Sequence, residues 1–450
     1  MRVAVIGAGI GGLSAAFELQ REHAGQAVEV HVFEAAAQAG GTMRTQAIEG
    51  FLFEAGGNGF LTNKPDSVQL VKDAGAEALL LPSSDAARKR YLFTDQLHPL
   101  PESPAAFLRS PLLPLSAKLR VAAEVLVPKR TAPGEESLQA FGYRRVGKAF
   151  TDTFLDAMTA GIYATTPDKV SVQAAFPLVA NLEQEYGGLF RGMLARRKRQ
   201  AGPGGILMSF RGGVGSFIAH LQATIQAVWH WQEPVVAITA HHCGEKQARF
   251  RLRTAMGESL FDQVVIATQA HAAAAMLQSL NPSLAGRLRA IEYSPVAVVG
   301  FGWRHLEHPL DGFGLLTTTA AQLPILGVLW DSSIFTDRAP AGGKSVRVML
   351  GGQRNPEQVQ QTEAGLIATA QEGIRRTMGV TQPPDVTFVQ RWERGIPSYR
   401  VGHRAAVERI LDDLHYHPGL YLAGNAYQGI AMNDCVRNGR AIARTILQTG

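Results

Sequence analysis

Near the start of the chain, Gly7-Ala8-Gly9-Ile10-Gly11-Gly12 sets three glycines in the spacing G-x-G-x-x-G, and Glu34 follows the turn at the end of the next apolar run. The chemistry served by that spacing is the holding of a nucleotide diphosphate. Gly7 makes the tight turn, Gly9 lets the backbone approach the pyrophosphate, and Gly12 lets helix and strand pack closely. The pyrophosphate then rests on free N–H groups at a helix N-terminus, and an acidic residue about twenty positions on takes a ribose hydroxyl. Such glycines also occur in ordinary strand–helix–strand turns. Here the flanking elements are all in place. Val3, Val5 and Ile6 read as a buried parallel strand, Leu13 to Gln20 as a helix, and Val28 to Phe33 as a second strand closed by Glu34. The spacing in that setting predicts dinucleotide binding.

The composition narrows the classes. A chain of 450 residues with 46% hydrophobic and 18% charged residues is folded and long enough for two or three domains. The net charge of +6 and pI near 9.4 favour anionic partners: a phosphate-bearing cofactor, a carboxylated substrate or an anionic lipid. No zinc-finger, RNP or helix-turn-helix pattern is present, so nucleic acid is not an expected partner. The two cysteines, Cys243 and Cys435, make no CxxC pair, and the thirteen histidines show no H-E-x-x-H spacing. No metal site, redox dithiol or Ser-His-Asp set is expected. A first strand starting at residue 2 leaves no room for a cleavable leader, and no run of 18 apolar residues offers a membrane span. The expected location is cytoplasmic.

Further elements position other candidate residues. Phe51 to Phe60 leads two apolar residues into the cluster Gly56-Gly57-Asn58-Gly59, where small residues would let backbone lie against a flat ring; a hairpin turn reads the same way. Residues 61–81 read as one amphipathic helix. Arg88-Lys89-Arg90 steps into the strand Tyr91-Leu92-Phe93, and an arginine there suits either a solvated strand entrance or a carboxylate anchor at a cavity mouth. Residues 97–130 break into short apolar helices interrupted by prolines, with Arg109, Lys118, Arg120, Lys129 and Arg130 between them. That pattern fits an interfacial membrane surface or a helical cap in water, and Arg196-Arg197-Lys198-Arg199 adds a basic run. Asp156 to Tyr163 sits between helices and on its own reads as a helix–turn. A helix over 217–228 and a strand over 234–238 follow, then a buried strand within 262–268. Residues 291–395 read as an antiparallel sheet, with strands at 294–303, 325–331, 345–351 and 386–392 and a helix near 357–378. A strand at 419–423 precedes a glycine-rich loop and a helix to Leu447, whose N-terminus would favour negative charge.

Several of these segments carry a family resemblance. Gly40-Gly41-Thr42-Met43-Arg44 resembles the GG-x-x-R extension of FAD enzymes in the amine oxidase, phytoene desaturase and protoporphyrinogen oxidase superfamily. Gly424-Asn425-Ala426-Tyr427-Gln428-Gly429-Ile430-Ala431-Met432-Asn433-Asp434-Cys435 is similar to the ending of protoporphyrinogen oxidases, and Trp392 with Pro397-Ser398-Tyr399 resembles their W…P-x-Y segment. The chain departs from the family at Gly57, where a proline is usual. The resemblance covers essentially the whole chain. It implies an α/β (α+β overall) architecture: a Rossmann-like FAD-binding domain assembled from 1–60, 209–290 and 398–450, a substrate domain with a mixed β-sheet from 61–96 and 291–397, and a helical membrane-binding domain at 97–208.

The resemblance also assigns roles. FAD would be held by Gly7, Ala8, Gly9, Ile10, Gly11, Gly12, Glu34, Gly41, Thr42, Arg44, Gly56, Gly57, Asn58, Gly59, Val235, Trp392, Gly424, Asn425, Ile430, Ala431 and Met432. Arg90 would anchor a substrate propionate, while Gly161, Ile162, Phe313 and Leu316 would clamp the macrocycle. The implied reaction oxidises protoporphyrinogen IX to protoporphyrin IX, with oxygen as acceptor and hydrogen peroxide as product. The flavin drives hydride loss and a pyrrole nitrogen supports the developing cation, so no catalytic side chain is named. Coproporphyrinogen III is the nearest alternative substrate. A flavin amine oxidase is a weaker alternative, because the stretch Tyr293 to Trp303 lacks the lysine that many of those enzymes carry. A homodimer and peripheral membrane contact are implied as well.

Overall fold

A computed structural model describes residues 1–21, 28–199, 205–242 and 248–449. Its organising element is a five-stranded, all-parallel sheet. The strands lie in the order Val228–Trp231, Glu29–Glu34, Arg2–Ile6, Gln263–Ile266, Leu420–Leu422. They come from widely separated parts of the chain, as expected of a domain assembled from pieces. Both faces are covered, which is why the strands are apolar at successive positions. Val3 and Val5 enter a core with Leu13 and Phe17 of helix Ile10–Arg21 and with Val436 and Ile446 of helix Met432–Thr449. Ala4 and Ile6 face the opposite core, with Ala273 and Leu277 of helix Ala270–Leu277 and Phe250 of a small antiparallel sheet. The first strand lies between its sequence neighbour and a strand from mid-chain. That reversal of direction opens a crevice at the carboxyl ends.

The second sheet has seven strands in the order Val386–Pro397, Tyr293–Trp303, Lys344–Gly351, Ile325–Leu329, Gly314–Thr317, Arg90–Phe93, Leu97–Pro99. It is antiparallel throughout its strands from 293–397 and mixed as a whole, as expected, because Gly314–Thr317 runs parallel to Arg90–Phe93. Helix Glu363–Met378 covers one face through Leu366, Ala370 and Ile374. The other face meets the hairpin of Phe51 and Phe53. Those rings lie on Gly300 and Gly302, where any Cβ would collide with them.

Four local expectations change. The helix expected at 61–81 is Pro65–Asp73; it ends before Gly75, whose φ of +66° breaks the turn, and Leu80–Pro82 is instead a strand paired with Leu207–Phe210. The helix expected at 217–228 is Val214–Thr224, and Val228–Trp231 becomes the edge strand of the parallel sheet. The strand expected at 234–238 begins at Ala237 and continues to His242. Asp156–Tyr163 is itself a helix, entered through a π-helical turn at Thr151–Leu155. Between residues 104 and 199 the chain is helical, and the exposed Leu108, Leu115, Leu119 and Leu126 lie on its short helices. The side chains of Arg197, Lys198 and Arg199 and the whole of Cys243 lie outside the described residues. No helix among the described residues is long and apolar enough to cross a membrane.

Candidate active site

The glycine turn sits at the carboxyl end of the first strand. Gly7 has φ +100°, and its N–H donates to the Phe33 carbonyl at 2.8 Å. A Cβ on Gly12 would strike the Gly7 carbonyl oxygen, so only glycine lets the helix pack this close. A Cβ on Gly9 would meet nothing within 4 Å; this side of the turn is an open cradle. Glu34 is held at its strand end by two backbone donors: Ala8 N–H to Oε2 and Ala36 N–H to Oε1, both at 2.8 Å. The Gly40-Gly41 loop lies alongside, with Gly40 N–H donating to the Ala8 carbonyl at 2.9 Å. Arg44 follows it. Its Nε is buried with no hydrogen-bond partner among the described residues. A buried guanidinium atom without an acceptor beside an open glycine turn fits an anionic diphosphate.

Two further loops close on this turn. Gly56 packs on Thr42, where a Cβ would come within 2.5 Å of the Thr42 carbonyl oxygen. The Gly56–Gly59 loop is held from the second sheet: Trp392 Nε1 donates to the Ala55 carbonyl at 2.7 Å, and Arg347 donates to the carbonyls of Glu54 (2.6 Å) and Gly56 (3.2 Å) and to Asn58 Oδ1. The C-terminal loop approaches from the other side, with Gly424 N 3.5 Å from a Cβ placed on Gly11. Tyr399 spans it. Its hydroxyl donates to the Asn425 carbonyl and accepts from the Gly429 N–H, each at 2.8 Å. Asn433 fixes the start of the last helix by accepting from Ser67 N–H at 3.1 Å and donating to the Leu61 carbonyl at 3.0 Å. Ile430, Ala431 and Met432 precede or open that helix, and the Ala431 carbonyl accepts from the N–H groups of Asp434 (3.0 Å) and Cys435 (3.1 Å) in its first turn. Val235 lies buried with Ile6 and Phe33, just before its strand.

The candidate substrate wall lies on the second sheet. Arg90 pairs in register with Gly314, and its guanidinium stands 5.2 Å from the centroid of the Phe313 ring. No hydrogen-bonded carboxylate is found for Arg90 among the described residues, whereas neighbouring Lys89 is paired to Asp311 at 2.5 Å. Gly161 meets Leu316 directly, since a Cβ there would be 2.7 Å from Leu316 Cδ2. Asp156 sets that contact. Its carboxylate accepts from Thr319 N–H (2.7 Å) and Thr319 Oγ1 (2.8 Å) and pairs with Arg354 at 2.9 Å. Ile162 is exposed beside it, and Phe313 packs against the buried cluster of Leu81, Ala87, Ile334 and Phe335.

Electrostatics divides the site from its supports. Burial raises the Glu54 carboxyl despite Arg338 and Arg347 nearby, and burial also raises Tyr399. Burial pushes His403, stacked 4.1 Å from Tyr399, down to about 4. The Cys435 thiol is pushed up to about 12 by burial and the charge of Asp434, which makes it a poor nucleophile. Sequence reasoning missed Arg347, Asp331, Asp156, Arg354 and Asn433 as supports. An arginine inside the apolar run Lys344–Gly351 is the one sequence signal, because a buried charge demands partners.

Comparisons with known proteins agree with this geometry. The model of the flavin-containing amine oxidoreductases matches residues 10–447. The chain is 28% identical to the coproporphyrinogen III oxidase of Bacillus subtilis (strain 168), over 98% of this chain and 96% of that one. It is 29% identical to the protoporphyrinogen oxidase of Homo sapiens, over 99% and 98%. A solved structure from Exiguobacterium sp. 255-15, assigned as a protoporphyrinogen oxidase, superposes with a TM-score of 0.86 at 24% identity, covering 100% of this chain and 99% of that one; it bears on the fold. The chain therefore belongs to the flavin-containing amine oxidoreductase family, alongside the protoporphyrinogen and coproporphyrinogen oxidases, and its cofactor is FAD.

Proposed function

We propose that this oxidoreductase converts a porphyrinogen to a porphyrin, with protoporphyrinogen IX as substrate, oxygen as acceptor and hydrogen peroxide as product. The observation that carries the substrate class is the Arg90 guanidinium, which has no hydrogen-bonded carboxylate among the described residues and stands over Phe313, next to the apolar contact of Gly161 with Leu316. A cation beside a greasy wall suits a macrocycle with carboxylate arms. FAD, when bound, supplies the hydride acceptor and its reoxidation by oxygen. The chain's residues bind and align. Gly7–Gly12, Gly41, Thr42 and Arg44 would take the diphosphate, Glu34 the ribose and Val235 the adenine side. Gly56–Gly59, Trp392 and Gly424–Met432 would frame the ring system. Arg90 would hold a propionate, and Ile162, Phe313 and Leu316 would keep the macrocycle flat and exclude water. No side chain is required as a general base.

Coproporphyrinogen III is the second reading, favoured by the likeness to the Bacillus subtilis enzyme. Its four propionates call for more than one free cation, and Lys89 is already paired to Asp311. An amine substrate is disfavoured by the absence of lysine from Tyr293–Trp303. The exposed leucines of the helical region, Leu108, Leu115, Leu119 and Leu126, support peripheral contact with a membrane, and a homodimer is proposed from the family resemblance. Anaerobic mixing with protoporphyrinogen IX should bleach the visible absorbance of the bound flavin; an unchanged spectrum would overturn the reading. Arg90→Ala should raise KM by about tenfold, the worth of one charge-assisted hydrogen bond, with the flavin spectrum intact. An unchanged KM removes Arg90 as anchor. Protein that stays at the bottom in flotation with anionic liposomes removes the membrane contact.

A further inference from the structure

Arg347 is 1% exposed, and every one of its N–H donors is used. Nε and Nη2 form a fork on Asp331, at 2.7 and 2.8 Å. Nη1 reaches the carbonyls of Glu54 and Gly56, at 2.6 and 3.2 Å, and Nη2 also reaches Asn58 Oδ1. One guanidinium thus joins the substrate sheet to the loop that resembles the flavin-facing loop of the family. The connection continues on the other side. Trp330, adjacent to Asp331, donates its N–H to the Phe313 carbonyl at 3.0 Å, and Phe313 carries the Arg90 guanidinium on its ring. From Arg90 to Asn58 the links are one ring contact, one backbone hydrogen bond, one buried ion pair and one side-chain hydrogen bond.

We infer that Arg347, with Asp331, is a positioning residue: it holds the Gly56–Gly59 loop in register with the Arg90–Phe313 edge of the cavity, and so aligns the substrate ring with the flavin. Burying a charge pair is costly, and a hydrophobic pair of equal volume would stabilise the sheet at least as well. What the pair adds is geometry, because a planar fork fixes two backbone carbonyls and an amide at once. Lysine keeps the charge but presents a point, and cannot span all four partners. The inference about substrate alignment rests on the porphyrinogen reading; the inference about the loop rests only on the flavin.

The test compares holoenzyme and apoprotein of the wild type, Arg347→Lys and Asn58→Ala. Asn58→Ala removes one contact of Arg347 at a half-buried loop position and leaves the Asp331 pair in place. Both variants should weaken FAD binding, Arg347→Lys by about tenfold or more. Both should alter the visible circular dichroism of the bound flavin and lower kcat for porphyrinogen with KM nearly unchanged. A role confined to stability would instead lower the melting temperature of the apoprotein and leave FAD affinity, dichroism and kcat at wild-type values; that result overturns the inference. Should Arg347→Lys fail to fold, Asn58→Ala decides, and wild-type FAD affinity and kcat in that variant overturn it. Should the wild type leave porphyrinogens untouched, the substrate reading falls, and FAD affinity and dichroism still decide the role of Arg347 at the loop.

Discussion

Replacing Tyr399 by Phe removes one oxygen atom and, with it, both hydrogen bonds that span the C-terminal loop. The ring is 1% exposed and lies 4.1 Å from His403 in a stacked arrangement, so Phe keeps the packing. Only the Asn425 carbonyl and the Gly429 N–H lose a partner. A buried polar group left unsatisfied costs about 1–3 kcal/mol. Both residues are half-buried, so the lower end applies, about 2 kcal/mol for the two together. Because this loop faces the glycine turn across Gly11, the cost should fall on cofactor binding rather than on the cores. Two kcal/mol corresponds to about a thirtyfold weaker FAD affinity. The assay is titration of apoprotein with FAD by fluorescence quenching, alongside amide exchange of residues 424–432, which should accelerate. FAD affinity within twofold of wild type, with unchanged exchange, would show that the hydroxyl does not hold the loop.

Other outcomes follow from single contacts. Gly12→Ala should abolish FAD binding and yield little folded protein, because the new Cβ strikes the Gly7 carbonyl oxygen; normal flavin content in the purified variant would refute the packing argument. Arg338→Met should lower the denaturation midpoint, with a cost of about 3–5 kcal/mol from a buried, unpaired Glu54, and adding Glu54→Gln should recover part of it; an Arg338→Met midpoint equal to wild type would refute the pairing. His403 titrates at about 4 in the folded chain and near 6.5 when unfolded. The unfolded state therefore binds more protons between those values. This residue contributes nothing above about pH 7 and reduces stability as pH falls through the window, by up to about 3 kcal/mol. His403→Phe should flatten that part of the pH dependence, and midpoints at pH 5 and 7 in the two proteins check it.

What was legible in the sequence depended on how local its cause was. The parallel strands were readable because burial on both faces leaves uninterrupted apolar runs such as Val3–Ile6 and Val264–Ile266. The glycine turn was readable because each glycine answers a backbone requirement within a few residues. Val228–Trp231 was not, since Val-Trp-His-Trp continues the apolar spacing of the helix before it and only the neighbouring strand makes it extended. The helix at 61–81 was drawn too long because apolar spacing persists past Gly75 into a strand paired far down the chain. Arg90, Gly314 and Phe313 come together only through a parallel pairing of distant segments. Here the family resemblance named Arg90 and Phe313 where periodicity was silent. The supports, Arg347 with Asp331 and Asp156 with Arg354, carried no motif, for their partners lie on other elements.

The central claim is tested most directly by aerobic turnover of the FAD-loaded protein, with protoporphyrinogen IX and coproporphyrinogen III offered side by side. Porphyrin fluorescence and hydrogen peroxide are followed together. The account predicts porphyrin and peroxide appearing in step, with the higher kcat/KM for protoporphyrinogen IX. A higher kcat/KM for coproporphyrinogen III would contradict the choice of substrate. No oxidation of either by the loaded protein would contradict the porphyrinogen reading itself.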